Sequence, residues 1–580
     1  MAALRTHDGG TSGGSGSGGG GAGAGAGRRR ADEARAGPAV GLPWPRAETQ
    51  RMVPLAAMDI GSNAVRMAVA LSRPDGGLER GEYLRVPVRL GTDVFRSGRV
   101  SEAALQRLLD ALLVFKRMTA RYPAGLVRVC ATSAMRDAQN AALVVDRVRR
   151  ETGLVIETIS GVEEARLVGR AVAQRMDLDK RSAMVDVGGG STEISCAEHD
   201  EILWCETFNV GAVRLLAAFA RLGRPEKKSA RLMEDFLGTL APAIEDRFQG
   251  RGVERLVATG GNIETLADLL RRRRPEDAPA EDKPVDVIEV RALKDLHKRL
   301  RETPARERAA RFGLRADRAD VIVPASFIYW KVAKLLGQEA IHVPHVGLLD
   351  GILLELEQRA WPKRGGLEGR ARQVRVSALV QGRRFHFDER HARTTADVAL
   401  MLFDALRTLH RLGERERMLL EAAALLHDVG SYVSRSRHHR HSQYLISQLD
   451  LVGLDQRERL LVANVARYHR KGMPSPAHEN FRDLAPDERL LVQKLASLLR
   501  VADALDRGQG AVAARDVRVT RTDGRVELRV PSAADLLLET WSVEQRQDLF
   551  EETFGLQVRL RRVRPRRAPR PRRAAAKRRR

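Results

Sequence analysis

Residues 182–195 read SAMVDVGGGSTEIS. An apolar run closes on Asp186, Gly188, Gly189 and Gly190 follow, Ser191 and Thr192 bring hydroxyls, and Glu193 opens the next apolar run. The grammar is strand, acid, glycine turn, hydroxyl, strand. It recurs upstream, where Met58-Asp59-Ile60-Gly61-Ser62-Asn63 ends the apolar strand that LAAMDIG closes and precedes RMAVAL. A third turn, Ala258-Thr259-Gly260-Gly261-Asn262, leads into the helical text ETLADLL. Glycine lets neighbouring amides point inward together as a nest for phosphate oxygens, and Ser62, Thr192 and Asn262 add side-chain donors. An aspartate at such a turn would repel phosphate, so it makes chemical sense only with a metal ion between them. No GxxxxGK(S/T) segment occurs, and strands rather than helices follow the first two turns. P-loop and Rossmann readings are excluded.

Outward from these turns, residues 55 to 350 alternate apolar runs (LVRVCAT, RLVATGG) with 3.6-period stripes such as SEAALQRLLDALLVFKRM and ADVIVPASFIYWKVAKLLG. That alternation predicts α/β layers, helices covering sheets. Arg271 to Pro284 is polar and reads as a surface loop, and residues 361 to 374 as a Gly/Arg-rich linker. From 386 to 510 every stretch recurs three and four apart, which predicts an all-helical domain. VRVTRTDGRVELRV then reads as a hairpin, ADLLLETWSVEQRQDLFEETFG as helix and LQVRLRRV as a closing strand. The expected organisation is a Gly/Ala/Ser-rich disordered tail over 1–53, a first lobe over 54–190 and a second over 191–360. A linker over 361–385, a helical domain over 386–512, a small α+β unit over 513–563 and a basic tail over 564–580 follow.

The chain has 580 residues, 43% hydrophobic and 30% charged, with a net charge of +25. Twelve Arg or Lys lie between Arg561 and Arg580, so nearly half of that excess is one tail. A solvated tail and a polyanion contact by charge alone both fit it. Three cysteines form no disulfide framework, and Cys130, Cys196 and Cys205 read as structural. No apolar run spans a membrane and no secretory signal stands at the N-terminus, so the expected place is the cytoplasm.

Two acid-glycine-hydroxyl hairpins with a third glycine turn resemble the duplicated ribonuclease-H-like fold of the actin, sugar kinase and Hsp70 group. The motifs DIGSNAVRM, ATSAMRDAQN, ISGVEEARL, DVGGGSTE, FNVGAVRL, ATGGNIETL and RADVIVPAS follow one another here as in the Ppx/GppA family of exopolyphosphatases and guanosine-pentaphosphate phosphohydrolases. The resemblance covers roughly residues 54 to 351. It implies that Glu164 is the catalytic base and that Asp186, Glu193 and Asp59 belong to a Mg²⁺ site. It further implies phosphate contacts from Arg136, Ser62 and Asn63, and a homodimer. Ala64 stands where relatives often carry a second serine. The segment Gly188, Gly189, Gly190, Ser191 and Thr192, with Gly260, Gly261 and Asn262, completes the expected phosphate cradle. Arg66 and Arg214 are weaker candidates for the anion path.

The chemistry follows on its own terms. Phosphoanhydride hydrolysis needs an in-line water and donors around the transferring group. A glutamate near polyphosphate has its pKa raised by like charge, which suits a base near neutrality. Taken alone, Glu164 reads first as a solvated helix acid, with Arg166 and Arg170 close in sequence. The expected activity is release of orthophosphate from inorganic polyphosphate, with guanosine pentaphosphate (pppGpp) as the alternative substrate. A binder without turnover and a nucleic-acid contact through the tails are the readings from other classes. The closing ADVIVPAS follows the phosphatase branch rather than the sugar kinases.

The helical region carries a second constellation. His427-Asp428, with His391 upstream and Asp503 downstream, resembles the HD phosphohydrolase superfamily. That resemblance implies a divalent metal held by His391, His427, Asp428 and Asp503, with His441 and His469 available for another. His438 and His439 lie with His441 in one basic run, where surface positions are expected.

Overall fold

The computed structural model describes residues 52–563, apart from 123–124, 222–233, 235–237, 239–240, 249–251, 272–283, 362–365, 508–511, 523 and 533–534. The expected tails and nearly all of the 271–284 loop lie outside the described residues. Two sheets dominate the first 350 residues. In the first, β1 (Val53–Ile60), β2 (Val65–Ser72) and β3 (Leu78–Val86) form an antiparallel meander, and β4 (Leu126–Ala131) and β5 (Ile156–Thr158) add in parallel, in the order β3-β2-β1-β4-β5. The second contains β6 (Ser182–Val187), β7 (Thr192–Glu198), β8 (Glu201–Phe208), β9 (Arg255–Thr259), β10 (Asp286–Glu289) and β11 (Ala340–Val343). Its order is β10-β11-β9-β6-β7-β8. Read from β8, the order β8-β7-β6-β9-β11 repeats the first sheet, with β10 as an added edge. The duplicated ribonuclease-H-like α/β expectation holds. The lobe boundary does not: β6 pairs with β7 and β9, so the second lobe begins by Ser182, ahead of the expected 191.

Near-continuous apolar text builds the central strands β1, β6 and β9, which are buried on both faces, and helices cover them. Helix Glu102–Thr119 buries Leu105, Leu108, Leu109, Leu112 and Phe115 at three- and four-residue spacing. The Ser101 hydroxyl caps it by accepting from the Ala104 amide at 3.2 Å.

Two helices join the lobes. Gly161–Ala173 follows β5 but packs on β7 and β8 of the other sheet, and Leu348–Ala360 follows β11 but packs on β1 and β2. One apolar core runs through both, from Leu55 and Ala57 through Leu167 and Val168 to Ile352 and Leu356. The helices touch backbone to backbone: a Cβ at Gly351 would stand 2.1 Å from the Leu167 carbonyl oxygen. A Cβ at Gly161 would meet Thr207 Oγ1 at 2.0 Å. Buried Arg128 and Arg166 bind Glu163 and Glu355 across the crossing.

The expected linker is instead a helix, Gly366–Arg384. Its buried positions include Gln373, Val374, Ser377, Ala378 and Gln381, three of these five polar, which breaks up the apolar stripe. Gln373 closes the edge of β8, accepting from the Ile202 amide at 2.9 Å and donating to the Ile202 carbonyl at 2.6 Å. Helices Glu389–Ala405, Glu414–Leu426, His438–Gln448, Gln456–Arg467 and Pro486–Leu505 form the all-helical unit. The α+β unit is present as β12 (Arg518–Thr522), β13 (Arg525–Pro531) and β14 (Gln557–Val563). It has no separate core, because Val526, Leu528, Phe550 and Val558 join the apolar cluster of the helices. Among the described residues no helix is long and apolar enough to cross a membrane.

Gly351→Ala forces the crossing apart, and we expect it to destabilise the protein by about 1–3 kcal/mol. Denaturant unfolding checks this, and an unchanged midpoint would refute the close approach.

Candidate active site

The two hairpin turns face each other across a cleft. β1 and β2 pair Asp59 with Arg66, and β6 and β7 pair Asp186 with Glu193, so each acid stands at the mouth of its turn. Asp59, Ser62, Asn63, Glu164, Asp186, Gly188, Gly189, Ser191, Gly260, Gly261 and Asn262 all line it. The glycines are there for space. At Gly189 a Cβ would lie 2.8 Å from Ser62 Cβ, and at Gly260, with φ 92°, it would lie 2.8 Å from Asp186 Oδ1.

Glu164 stands in the first turn of helix Gly161–Ala173, whose start is fixed by the Ser160 hydroxyl accepting from the Glu163 amide at 3.2 Å. The two adjacent glutamates diverge. Glu163 binds Arg166 and Arg128, whose charges, against its burial, hold its carboxyl below the usual range. Glu164 instead meets Arg136 at 3.3 Å. Burial, then the charge of Glu193, push its carboxyl well up, and Arg136 opposes the rise. The alternative of a solvated acid beside Arg166 is therefore set aside.

Arg136 is a hub rather than a wall. It donates to the Ile159 carbonyl at 2.9 Å and to Ser191 Oγ at 3.2 Å, and lies 3.6 Å from Glu193. Burial raises Glu193 to about 7, with Ser191 and Arg136 restraining it. Burial likewise raises Asp59 and Asp186, the latter accepting from the Thr259 hydroxyl at 3.0 Å.

Three expected contacts are corrected. The Thr192 hydroxyl donates to the Val210 carbonyl at 2.5 Å and is buried away from the cleft. Gly190 makes room for packing, since a Cβ there would strike Phe95 at 2.2 Å. Arg214 is a latch, donating to the Gly190 carbonyl at 2.6 Å and lying over the Phe95 ring. Asn63 lines the cleft while its amide donates to Asp317 Oδ2 at 3.2 Å.

Other residues of the cleft had escaped sequence reasoning. Ser133, whose hydroxyl is 2.9 Å from that of Ser62, comes from the segment ATSAMRD that also carries Arg136. Arg85 comes from β3, where no motif marks it. Arg318 opens RADVIVPAS and donates to Asn262 Oδ1 at 2.6 Å. Burial, then the positive charges of Arg85 and Arg66, lower Arg318 to about 10.

The acids fit a divalent cation. Asp59 Oδ1 and both Glu193 oxygens are buried without a well-aligned hydrogen bond. Among the described residues, however, no three carboxylates of the cleft bring their oxygens within 4.8 Å of one another. That suits an ion such as Mg²⁺, which keeps several waters and takes the rest of its oxygens from substrate phosphates.

In the helical unit, His391, His427 and Asp428 converge, as do Asp428, His438 and His469. His438 thus takes the place expected of His441, which belongs to neither group. Burial lowers His427 to about 4. Against burial, hydrogen bonds with Asp503 and Asp506 raise His391 to about 10. Against burial, too, the neighbouring imidazoles hold Asp428 far below the carboxylate range, and His391 and Arg546 do the same for Asp503.

A nest of glycine turns, buried acids and cations around the raised glutamates Glu164 and Glu193 defines a hydrolase of phosphoanhydrides. The family model of the Ppx/GppA phosphatase family matches residues 82–360, and that of Ppx/GppA phosphatase domain III matches 371–552. The chain belongs to the Ppx/GppA phosphatase family. It is 27% identical over 454 residues to the guanosine-5'-triphosphate,3'-diphosphate pyrophosphatase of Vibrio vulnificus, covering 77% of this chain and 86% of that one. The protein of the same name from Photobacterium profundum is 23% identical over 86% of this chain and 96% of its own length. Among solved structures, an exopolyphosphatase from Cytophaga hutchinsonii is 27% identical, with a TM-score of 0.49 over 53% of this chain and 98% of that one.

In the role of general base proposed below, Glu164 must be ionised, so turnover is expected to rise with pH through its raised pKa and to be lost on the acid side. Arg136→Ala removes the opposing charge and is expected to move that limb to higher pH. A kcat/KM profile checks this; an unmoved limb would show that Arg136 does not set the ionisation of Glu164.

Proposed function

We propose that the chain is an exopolyphosphatase, releasing terminal orthophosphate from inorganic polyphosphate with Glu164 as general base. The observation that carries this reading is the lining of the cleft: glycine turns, hydroxyls, Arg66, Arg85 and Arg318, with no aromatic side chain among the described residues that line it. Such walls hold phosphate and offer no face on which a base could stack.

Ser62, Ser133 and the amides of the glycine turns hold the terminal phosphoryl oxygens, and Arg318 and Arg85 offset their charge. Glu164 takes the proton of a water as its oxygen bonds to phosphorus and the bond to the bridging oxygen breaks. Arg136 fixes the carboxylate in place and, by opposing its raised pKa, keeps it available as a base near neutrality. A divalent cation held by Asp59, Asp186 and Glu193, which we take to be Mg²⁺, would neutralise phosphate charge and polarise the phosphoryl group.

The second reading, conversion of pppGpp to ppGpp, is favoured by the names of relatives that match through both the lobes and the helical unit. Both substrates end in the same phosphoanhydride.

Glu164→Gln should lower kcat on long-chain polyphosphate by about 10²–10⁴-fold with KM little changed. Phosphate release from polyphosphate and from pppGpp, with Mg²⁺, measures it. Higher kcat/KM on pppGpp would replace the first reading by the second, and undiminished activity in the variant would remove Glu164 as the base.

A further inference from the structure

Strands β1, β2 and β3 carry a row of charge along the cleft. Asp59 lies opposite Arg66, Arg66 lies opposite Arg85, and all three line the cleft. Like charges directly opposite across a sheet repel, so each arginine calls for an acid of its own. Arg66 has Asp59, at 3.7 Å. Arg85 has Asp317, from the second lobe: Arg85 Nη2 donates to Asp317 Oδ2 at 2.5 Å. The short helix Ala316–Ala319 carries Asp317, and the next residue, Arg318, lines the cleft. The row runs acid, cation, cation, acid, and its last member is supplied by the opposite lobe.

Asp317 holds more than Arg85. The Asn63 amide donates to its Oδ2 at 3.2 Å and to its backbone carbonyl at 3.3 Å. Against burial, the hydrogen bond and charge of Arg85, then the charge of Arg318, hold the Asp317 carboxyl below its usual range, so it stands as an anion. Arg85 and Asn63 are both donors that face an entering phosphate, and one carboxylate already occupies a nitrogen of each. A guanidinium accepts a carboxylate or a phosphate in the same planar geometry, so the two compete on equal terms. Arg85 Nε is buried without a well-aligned hydrogen bond, which leaves a further donor for an anion.

A neighbouring pair shows the contrast. Arg89 meets Asp320 at 2.7 Å, but both side chains are partly exposed, and Arg89 is not among the described residues that line the cleft. Such a pair has little leverage on a ligand.

We propose that Asp317 is a specificity-determining residue of the phosphate site, an internal counter-anion that occupies Arg85 and Asn63 until a phosphate displaces it. The site thereby binds single phosphate groups less tightly than its cations alone would, which favours departure of the orthophosphate product. An anion with several linked phosphates keeps its hold through the remaining donors while Asp317 is displaced. This inference rests on the cleft being a phosphate site, as proposed above, and is the same for polyphosphate and for pppGpp.

The test uses the full chain with Mg²⁺ and two probes, orthophosphate and imidodiphosphate, whose bridging nitrogen resists hydrolysis, with binding read by calorimetry. Asp317→Asn should lower the Kd of both about tenfold. Damage to the fold loosens binding, so a gain in affinity is a result that a merely structural role does not give. Asp317→Ser removes the same charge with a smaller side chain and should act in the same sense. Arg85→Met should weaken binding about tenfold, and in that background the gain from Asp317→Asn should shrink to about twofold or less. Asp320→Asn should leave both Kd values unchanged. Unchanged or weaker binding in both Asp317 variants, an undiminished gain in the Arg85→Met background, or an equal gain from Asp320→Asn would overturn this proposal alone. A wild-type chain that binds neither probe would overturn the reading of the cleft, and this proposal with it.

Discussion

The backbone crossing of helices Gly161–Ala173 and Leu348–Ala360 is the constraint on which the main cleft rests. Each helix follows one sheet in the chain and packs against the other, so neither lobe has its own complete core. The crossing is close because Gly351 lies over the Leu167 carbonyl. The first helix then enters the cleft with Glu164 in its first turn, and Gly347 and Leu348, where the second begins, line the same cleft. Position of Glu164 and joining of the lobes are one structural fact.

The electrostatics of the cleft follow from burial. Four acids and several arginines share a buried space, and the acids rise while Arg318 falls. Charges of both signs are held away from their ordinary states, a condition that suits a site built to receive a polyanion with its cation. The contrast between Glu163 and Glu164 makes the point at the scale of one peptide bond. The first is tied to the arginines of the crossing, and the second lines the cleft.

Much of this was legible in the sequence where structure is local. The strand–acid–glycine–strand text placed β1, β2, β6 and β7, and the acids at their mouths, because hairpins join residues close in the chain. The resemblance singled out Glu164, which spacing alone could not separate from a solvated acid. What escaped was set by distant packing. Arg85 reaches the cleft from β3 with no motif to mark it. Helix Gly366–Arg384 read as linker because its buried face includes Gln373, Ser377 and Gln381, whose hydrogen bonds do the work that apolar stripes do elsewhere. His438 and His441 lie on one helix three residues apart, and only the positions of Asp428 and His469 decide between them.

Gln373 has one more consequence. β8 is the outer strand of its sheet, and an outer strand offers open amides and carbonyls to any extended chain that passes. At Ile202 both of these groups are taken by a single side-chain amide. The helix that leads into the C-terminal half therefore also acts as a guard rail, denying a foothold there to strand-by-strand aggregation.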